Sequence, residues 1–501
     1  MTTDHSSSPL PPLVLWSAEE AAQATEGQAF GGWSVSGLSI DSRSLAPGDL
    51  FVALQGPNFD GHDFAAAALV AGAGALCLAR PVAGLPADAP RLMVQDTLTG
   101  LQDLARVARL RGKAKVIAVT GSVGKTGVKE ALRHCLDEQA PTHASVGSLN
   151  NHWGVPLSLA RLPAEAEFAV FELGMNHVGE IGPLSRLVKP DVAVVTTIEP
   201  AHMEFFATVE AIADAKAEIF EGMAPDGTAV LNRDNPYFAR LLAAARTRGV
   251  ARVWSFGGDP AADARLIGLV GDADGSVVSA ELFGQRLEYR LSLAGRHQAL
   301  NSLAVLLAAA AAGADTVAAA RQMARLTPVK GRGTRRAVAL ARGGTLTLID
   351  ESYNASPVAM AAACAVLGAV MPGAGGRRVA VLGDMRELGE RADEYHAALV
   401  EPLQVAGVER VYCCGPHMAA LFERLPETMR GGYTLDSKTL TPLVVAGGRA
   451  GDVVLVKGSA GSRMAVVVEA LVALDGGVAA MGAATGPTTT IRAAAVAGPA
   501  T

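Results

Sequence analysis

Residues 115–126 read Lys-Val-Ile-Ala-Val-Thr-Gly-Ser-Val-Gly-Lys-Thr. A β-branched run enters a glycine turn, which delivers a lysine, a threonine and then a helix-like stretch. That order suits a strand ending at the carboxyl edge of a parallel sheet, with a helix starting where the strand stops. Glycines let backbone N–H groups converge on anionic oxygens, and the helix adds the positive end of its dipole. Thr120, Gly121, Ser122, Val123 and Gly124 form the cradle. Lys125 can reach outer phosphates, and the Thr126 hydroxyl can bind magnesium. The loop is shortened: the full phosphate-loop pattern needs a glycine five positions before Gly124, where this chain has Val119.

The rest of the chain supports an α/β reading. Its 501 residues are 50% hydrophobic, enough for about three domains at ~150 residues each. Residues 1–111 hold short strands with turn signals such as Pro47-Gly48-Asp49, and a helical stretch from Phe64 to Ala73. The first twelve residues are polar and proline-rich and are expected to be disordered. Residues 112–325 alternate strand and helix, with apolar strands at Phe168–Phe171 and Val192–Thr197. Between Leu266 and Leu293 the pattern becomes alternating strands. Residues 326–474 begin again, with strands at Thr345–Ile349, Arg378–Leu382, Arg410–Cys413 and Val453–Val456. The expectation is a small N-terminal α/β domain, a central parallel-sheet domain of phosphate-loop type and a C-terminal Rossmann-like α/β domain. Residues 475–501 are alanine, glycine and threonine with little to bury, and read as a disordered low-complexity tail.

Several classes are excluded. Net charge is -6 and no long basic run occurs, so nucleic acid is not the expected partner. The longest apolar stretch, Leu303–Ala312, is too short to span a bilayer and reads as a buried helix. No signal peptide is indicated. The five cysteines (Cys77, Cys135, Cys364, Cys413 and Cys414) read as buried reduced thiols of a cytoplasmic protein.

Glu172 follows the strand Phe168–Phe171, and His202 lies just beyond Val192–Thr197. In a parallel sheet both stand at the edge that carries the phosphate loop, where they can complete a magnesium shell. Taken singly, Glu172 reads as a helix cap and His202 as a solvated loop residue. Lys216 sits in the helical run Val209–Phe220 near Glu218. A surface ion pair is the plainer reading; the sharper one is an inward lysine carbamylated by carbon dioxide.

Taken together, several segments resemble the Mur ligase family of peptidoglycan synthesis. They are Thr120–Thr126, Asn150-Asn151-His152-Trp153-Gly154-Val155-Pro156, Phe171–Asn176, Ala201-His202-Met203-Glu204, Ala215–Ile219, Leu231–Asp234 and Gly295–Asn301. The resemblance spans about residues 35–470. Asp350-Glu351-Ser352-Tyr353-Asn354-Ala355-Ser356-Pro357, Leu382–Gly389, Lys457–Met464, Asp41-Ser42-Arg43 and Asp60–Phe64 are similar to the branch that adds D-alanyl-D-alanine. Glu351 departs from that pattern, which usually has a second aspartate there, and leaves the ribose contact open between Asp350 and Glu351.

The resemblance implies an enzyme, an ATP-dependent ligase acting through an acyl phosphate. Its implied substrates are UDP-N-acetylmuramoyl-tripeptide and D-alanyl-D-alanine, and a monomer is expected. Lys125 and the loop amides would hold phosphates. Thr126 and Glu172 would bind one magnesium; His202 and carbamylated Lys216 would bind a second. Asn301 matches an adenine-side residue, Arg332 a γ-phosphate-side arginine, and Asn150 a position beside phosphates or substrate. Ser42 and Arg43 would hold the UDP part, with turn and capping roles as the alternative. Tyr353, Asn354 and Ser459 are candidates near the dipeptide. Closure of the third domain over the second is implied as well. The competing readings are a single-amino-acid-adding or folylpolyglutamate-type ligase, and a nucleotide-binding module without turnover.

Overall fold

The computed structural model describes residues 14–201, 203–272 and 275–483. The first twelve residues, expected to be disordered, and His202 lie outside the described residues. The chain forms two compact units: one to Pro328 with Glu387–Gly389, the other Val329–Arg386 with the remainder from Glu390.

The first unit contains two main sheets. The smaller has five strands in the order Gln28–Phe30, Arg91–Met93, Ala75–Leu78, Asp49–Val52 and Gly37–Ser39, parallel except at the first pair. The larger has nine. From Thr142–Ala144 it runs through Phe168–Glu172, Lys115–Thr120, Val192–Val195, Thr228–Asn232 and Arg252–Gly257 to Ala264–Asp272, all parallel. Two antiparallel strands, Gly275–Leu282 and Gln285–Leu291, finish it. The central strands are continuous apolar runs because helices cover both faces, so no polar alternation is needed. On one face lies the helix Arg296–Ala311, whose residues Leu303–Ala309 are fully buried as expected for that alanine-rich stretch. On the other, the helix Thr97–Arg111 shares a core with Gly154–Ala160. Trp16 Nε1 donates to Ala160 O at 2.9 Å, and Arg111 donates to Leu15 O and Leu162 O, so the N-terminal segment is sewn to the central layer.

Lys115–Thr120 is the topological switch point. The chain leaves it for Thr142–Ala144 and Phe168–Glu172 on one side, then crosses to Val192–Val195 on the other. Glu172 pairs with Val119 and Val195 with Thr120, so all three strands end at one edge. Switch points of open α/β sheets leave a crevice at that edge.

The second unit holds a six-stranded sheet in the order Thr334–Ala339, Thr345–Glu351, Val453–Lys457, Arg378–Gly383, Arg410–Cys414 and Arg430–Thr434. Only the first strand is antiparallel. The expected tail from 475 needs correction: the helix that starts at Ala465 continues to Ala483. Alanine is the best helix former, so a stretch with little to bury still extends a helix already anchored at its start. Asp475 accepts from Arg336 Nη2 at 2.9 Å and from Ala339 N at 3.2 Å, holding the helix to the edge strand. Residues 484–501 are outside the described residues.

Candidate active site

The turn after Thr120 is shaped by two glycines. Gly121 has φ +144° and Gly124 φ +88°, and a Cβ on Gly121 would collide with Thr196 Oγ1. Thr196 Oγ1 donates to Val123 O at 2.6 Å, and Ser122 N donates to Thr197 O at 2.8 Å. Ser122 Oγ donates to Glu199 O and accepts from Glu199 N. The loop is thus held from the neighbouring strand end, just before the start of the helix Lys125–Asp137. Lys125 Nζ folds back to Gly121 O at 2.7 Å. Thr126 is buried in the first helical turn. Asn301 stands beside the loop: a Cβ on Gly124 would lie 3.0 Å from its Nδ2. Glu199, which the sequence reading did not single out, is a half-buried carboxylate at this edge, and burial raises its pKa against the opposing bond from Thr197.

Glu172 is 1% exposed. Asn150 Nδ2 donates to its Oε1 at 2.7 Å, while Oε2 is buried without a hydrogen-bond partner among the described residues. A buried carboxylate oxygen left unpaired is costly. An unpaired carboxylate oxygen, like the Thr126 hydroxyl, is a hard oxygen donor, so the donor set fits magnesium. The Asn150–Glu172 pair joins two residues that the sequence separates by 22 positions.

Lys216 is buried in the last turn of the helix Val209–Ala217, which Thr208 caps through Ala211 N. The surface ion pair with Glu218 is absent: Glu218 instead accepts from Gly179 N at 2.7 Å and Gly182 N at 3.0 Å. Burial, and then the Lys125 ammonium nearby, hold the Lys216 amine well below its ordinary pKa. A neutral amine is the form that adds carbon dioxide.

In the second unit, Arg332, Asp350, Tyr353, Asn354 and Ser459 gather at the carboxyl edge of the parallel strands. The Arg332 guanidinium lies 4.3 Å from the centre of the Tyr353 ring. Its Nε is buried without a hydrogen-bond partner among the described residues. Asp350 Oδ1 accepts from Ser352 N and Oγ at 3.0 and 2.6 Å, closing a local turn. Glu351 pairs with Lys457 Nζ at 3.0 Å, and the same ammonium donates to Asn354 O. Lys457, which opens the Lys457–Met464 segment, is a buried lysine to which the sequence reading gave no role of its own. Its signal was its place as the last residue of a strand beside a Gly-Ser turn. Ser459 Oγ accepts from Arg386 N at 3.0 Å and ties two strand-end loops together.

Ser42 and Arg43 lie in a turn of the N-terminal segment. Asp41 Oδ1 accepts from Arg43 N at 3.0 Å, and its carboxylate grips the guanidinium through Nε and Nη2. Those bonds pull the Asp41 pKa down to about 2. The turn role is therefore present in the structure, with the Arg43 side chain exposed to solvent.

Three family models match in chain order: the Mur ligase family catalytic domain at residues 34–109, the Mur ligase middle domain at 119–309, and the Mur ligase glutamate ligase domain at 334–460. The chain is 37% identical to the UDP-N-acetylmuramoyl-tripeptide--D-alanyl-D-alanine ligase of Escherichia coli K12, over 87% of this chain and 94% of that one. The chain belongs to the Mur ligase family. This Mur ligase also superposes on a crystal structure of MurF from Acinetobacter baumannii with a TM-score of 0.80 and 30% identity, covering 93% of this chain and 100% of that one. MurF of Thermotoga maritima in complex with ADP gives a TM-score of 0.73 at 29% identity, covering 88% and 98%. The three-domain α/β architecture expected from sequence agrees with these structures. All five cysteines of this Mur ligase are free and buried, and among its described residues no helix is long and apolar enough to cross a membrane.

Proposed function

We propose that the protein is an ATP-dependent ligase that adds D-alanyl-D-alanine to UDP-N-acetylmuramoyl-tripeptide. The carrying observation is one sheet edge that assembles a glycine cradle, Lys125, Thr126 and a buried carboxylate with an unpaired oxygen. The relationship to the E. coli ligase supplies the substrates.

The tripeptide carboxylate attacks the γ-phosphorus of ATP, the bond to the β-phosphate oxygen breaks, and ADP leaves. The dipeptide amine, after losing its ammonium proton, adds to the acyl-phosphate carbonyl. The tetrahedral intermediate gives one nitrogen-bound proton to solvent water and expels phosphate as the amide forms. Each step gathers negative charge on oxygens, so preorganised positive charge is the chief need. Lys125 and the loop amides hold the phosphates in register. Thr126 and Glu172 would bind magnesium, which when bound neutralises phosphoryl oxygens. The Lys216 amine would take up carbon dioxide, lose a proton and become a carbamate ligand, with His202 as its partner. Asn301 and Asp350 would border the nucleotide, Arg332 its γ-phosphate, and Tyr353, Asn354 and Ser459 the dipeptide. Ser42 and Arg43 would contact the UDP part. A cytoplasmic location is supported by the five free thiols and by substrates that are soluble nucleotides.

The test is incubation with ATP, magnesium, UDP-muramoyl-tripeptide and D-alanyl-D-alanine, reading phosphate release and product mass. A pentapeptide product is expected. Product with glutamate or diaminopimelate but not with the dipeptide would overturn the assignment.

A further inference from the structure

Lys129 lies one helical turn beyond Lys125, on the same face of the phosphate-loop helix. It is fully buried. Its Nζ donates to Ser145 O at 2.6 Å and Gly147 O at 2.8 Å, and contacts Glu130 Oε1 at 2.7 Å. The helix has spent its own N–H groups at this level, so an ammonium with three donors is what can satisfy two inward carbonyls and a carboxylate together.

The segment it grips leads to the metal-binding carboxylate. Ser145 N donates to Val170 O, and Ser145 Oγ accepts from Glu172 N at 3.3 Å. Gly147 turns the chain with φ +57°. Asn150 O then accepts from Gly174 N at 2.8 Å, and Asn150 Nδ2 reaches Glu172 Oε1. Gly174 leaves room for this: a Cβ there would lie 2.7 Å from Asn150 Cγ. The 145–150 segment is thus stitched to the strand that ends in Glu172, and Lys129 is its fastening to the helix that carries Lys125 and Thr126.

We propose that Lys129 is a positioning residue, whose ammonium pins the Ser145–Gly147 backbone and thereby sets Asn150 and Glu172 against the phosphate loop. This rests on the reading of Glu172 as a magnesium ligand. It gives a buried lysine that touches no phosphate a definite part in the site: it fixes the spacing between the two walls that share the cation.

The test uses the full chain and ADP binding by calorimetry, with magnesium titrated in. In Lys129→Met, ADP binding without magnesium stays as in wild type. The magnesium concentration that half-saturates the metal-dependent gain in affinity rises about 10–100-fold, the usual cost of losing support behind a metal ligand. Amides of residues 145–151 exchange faster with deuterium. Asn150→Ala shifts the same half-saturation, and the double variant goes no further than the larger single effect, because both act on one element. Should Lys129→Met not fold, Lys129→Gln, which keeps a neutral donor, is read in the same assay and shows a smaller rise. A wild-type half-saturation in either folded variant, or effects that multiply with Asn150→Ala, would overturn the proposal. Wild-type protein whose ADP affinity gains nothing from magnesium would defeat the site reading and this inference together, whereas a normal wild-type gain with unshifted variants defeats this inference alone.

Discussion

Two lysines of the same unit, Lys129 and Lys216, are sealed from solvent, and their surroundings differ in kind. Lys129 has two carbonyls and a carboxylate within hydrogen-bond reach. Burial opposes ionisation of that carboxylate, Glu130, yet bonds from Lys129 and Arg133 outweigh it and leave its pKa below the ordinary value. Lys216 has burial and a neighbouring cation, both of which favour the neutral amine. One site surrounds its lysine with oxygen acceptors, the other with burial and a like charge. Burial disfavours the charged form at Lys216, while at Lys129 the ammonium contacts two backbone carbonyls and a carboxylate.

The contrast breaks most visibly at Lys216. Lys216→Ala is expected to lower kcat on the order of 10³-fold, with partial rescue by short carboxylates such as acetate or formate. Wild-type turnover in this variant would remove the carbamate from the mechanism. Stripping carbon dioxide from the buffer is expected to depress wild-type activity reversibly and to leave Lys216→Ala unaffected.

Stability should move in opposite directions at the two positions. Lys129→Met abandons two carbonyls and a carboxylate and is expected to destabilise by about 3 kcal/mol. Lys216→Met should stabilise at neutral pH, since it replaces a group that folding must discharge. The sign follows from proton counts. Below the ordinary lysine pKa of 10.5 the unfolded chain holds the Lys216 proton, and the folded chain releases it down to a much lower pH. The unfolded state binds more protons in that window, so wild-type stability should rise with pH through it in carbon-dioxide-free buffer. Lys216→Met should lose that slope. Denaturant melts at several pH values would show parallel curves if Lys216 were an ordinary surface lysine.

The smallest effect is expected at the rim of the Lys129 site. Glu130→Gln removes the partly exposed partner only, and should cost about 1 kcal/mol or less by chemical denaturation. A loss as large as that of Lys129→Met would mean that the ion pair, rather than the two carbonyls, holds the lysine.

Much of this architecture is legible in the chain. The β-branched run before Gly121, the apolar strand before Glu172 and the alanine-rich Leu303–Ala312 stretch announce their elements, because doubly buried strands and buried helices need continuous apolar runs. The helix past Asp475 was not legible, since composition reports what a segment can bury and not whether a preceding helix carries it along. Sequence leaves Lys216 open between a surface pair and an inward, carbamylated lysine for another reason. Glu218 follows it closely in sequence, which suggests a surface pair, but the chain turns into a 3₁₀ segment at Glu218 and aims that carboxylate at Gly179 and Gly182. Lys129 carries no local mark at all. Lysine is seldom fully buried, and its partners at 145 and 147 meet it only through the return of the chain. Asn150 was marked as a neighbour of phosphates or substrate; its bond to Glu172 is a tertiary fact.

The close approach of Thr196 to Gly121 bears on how this protein can change over generations. A side chain at 121 would need Thr196 to shrink in the same step, and Thr196 is what holds Val123 O in place. Even that paired change would leave a residue with a Cβ at φ +144°. No single-step path leads away from glycine here, so an inhibitor that packs against this turn would meet a surface with little freedom to mutate.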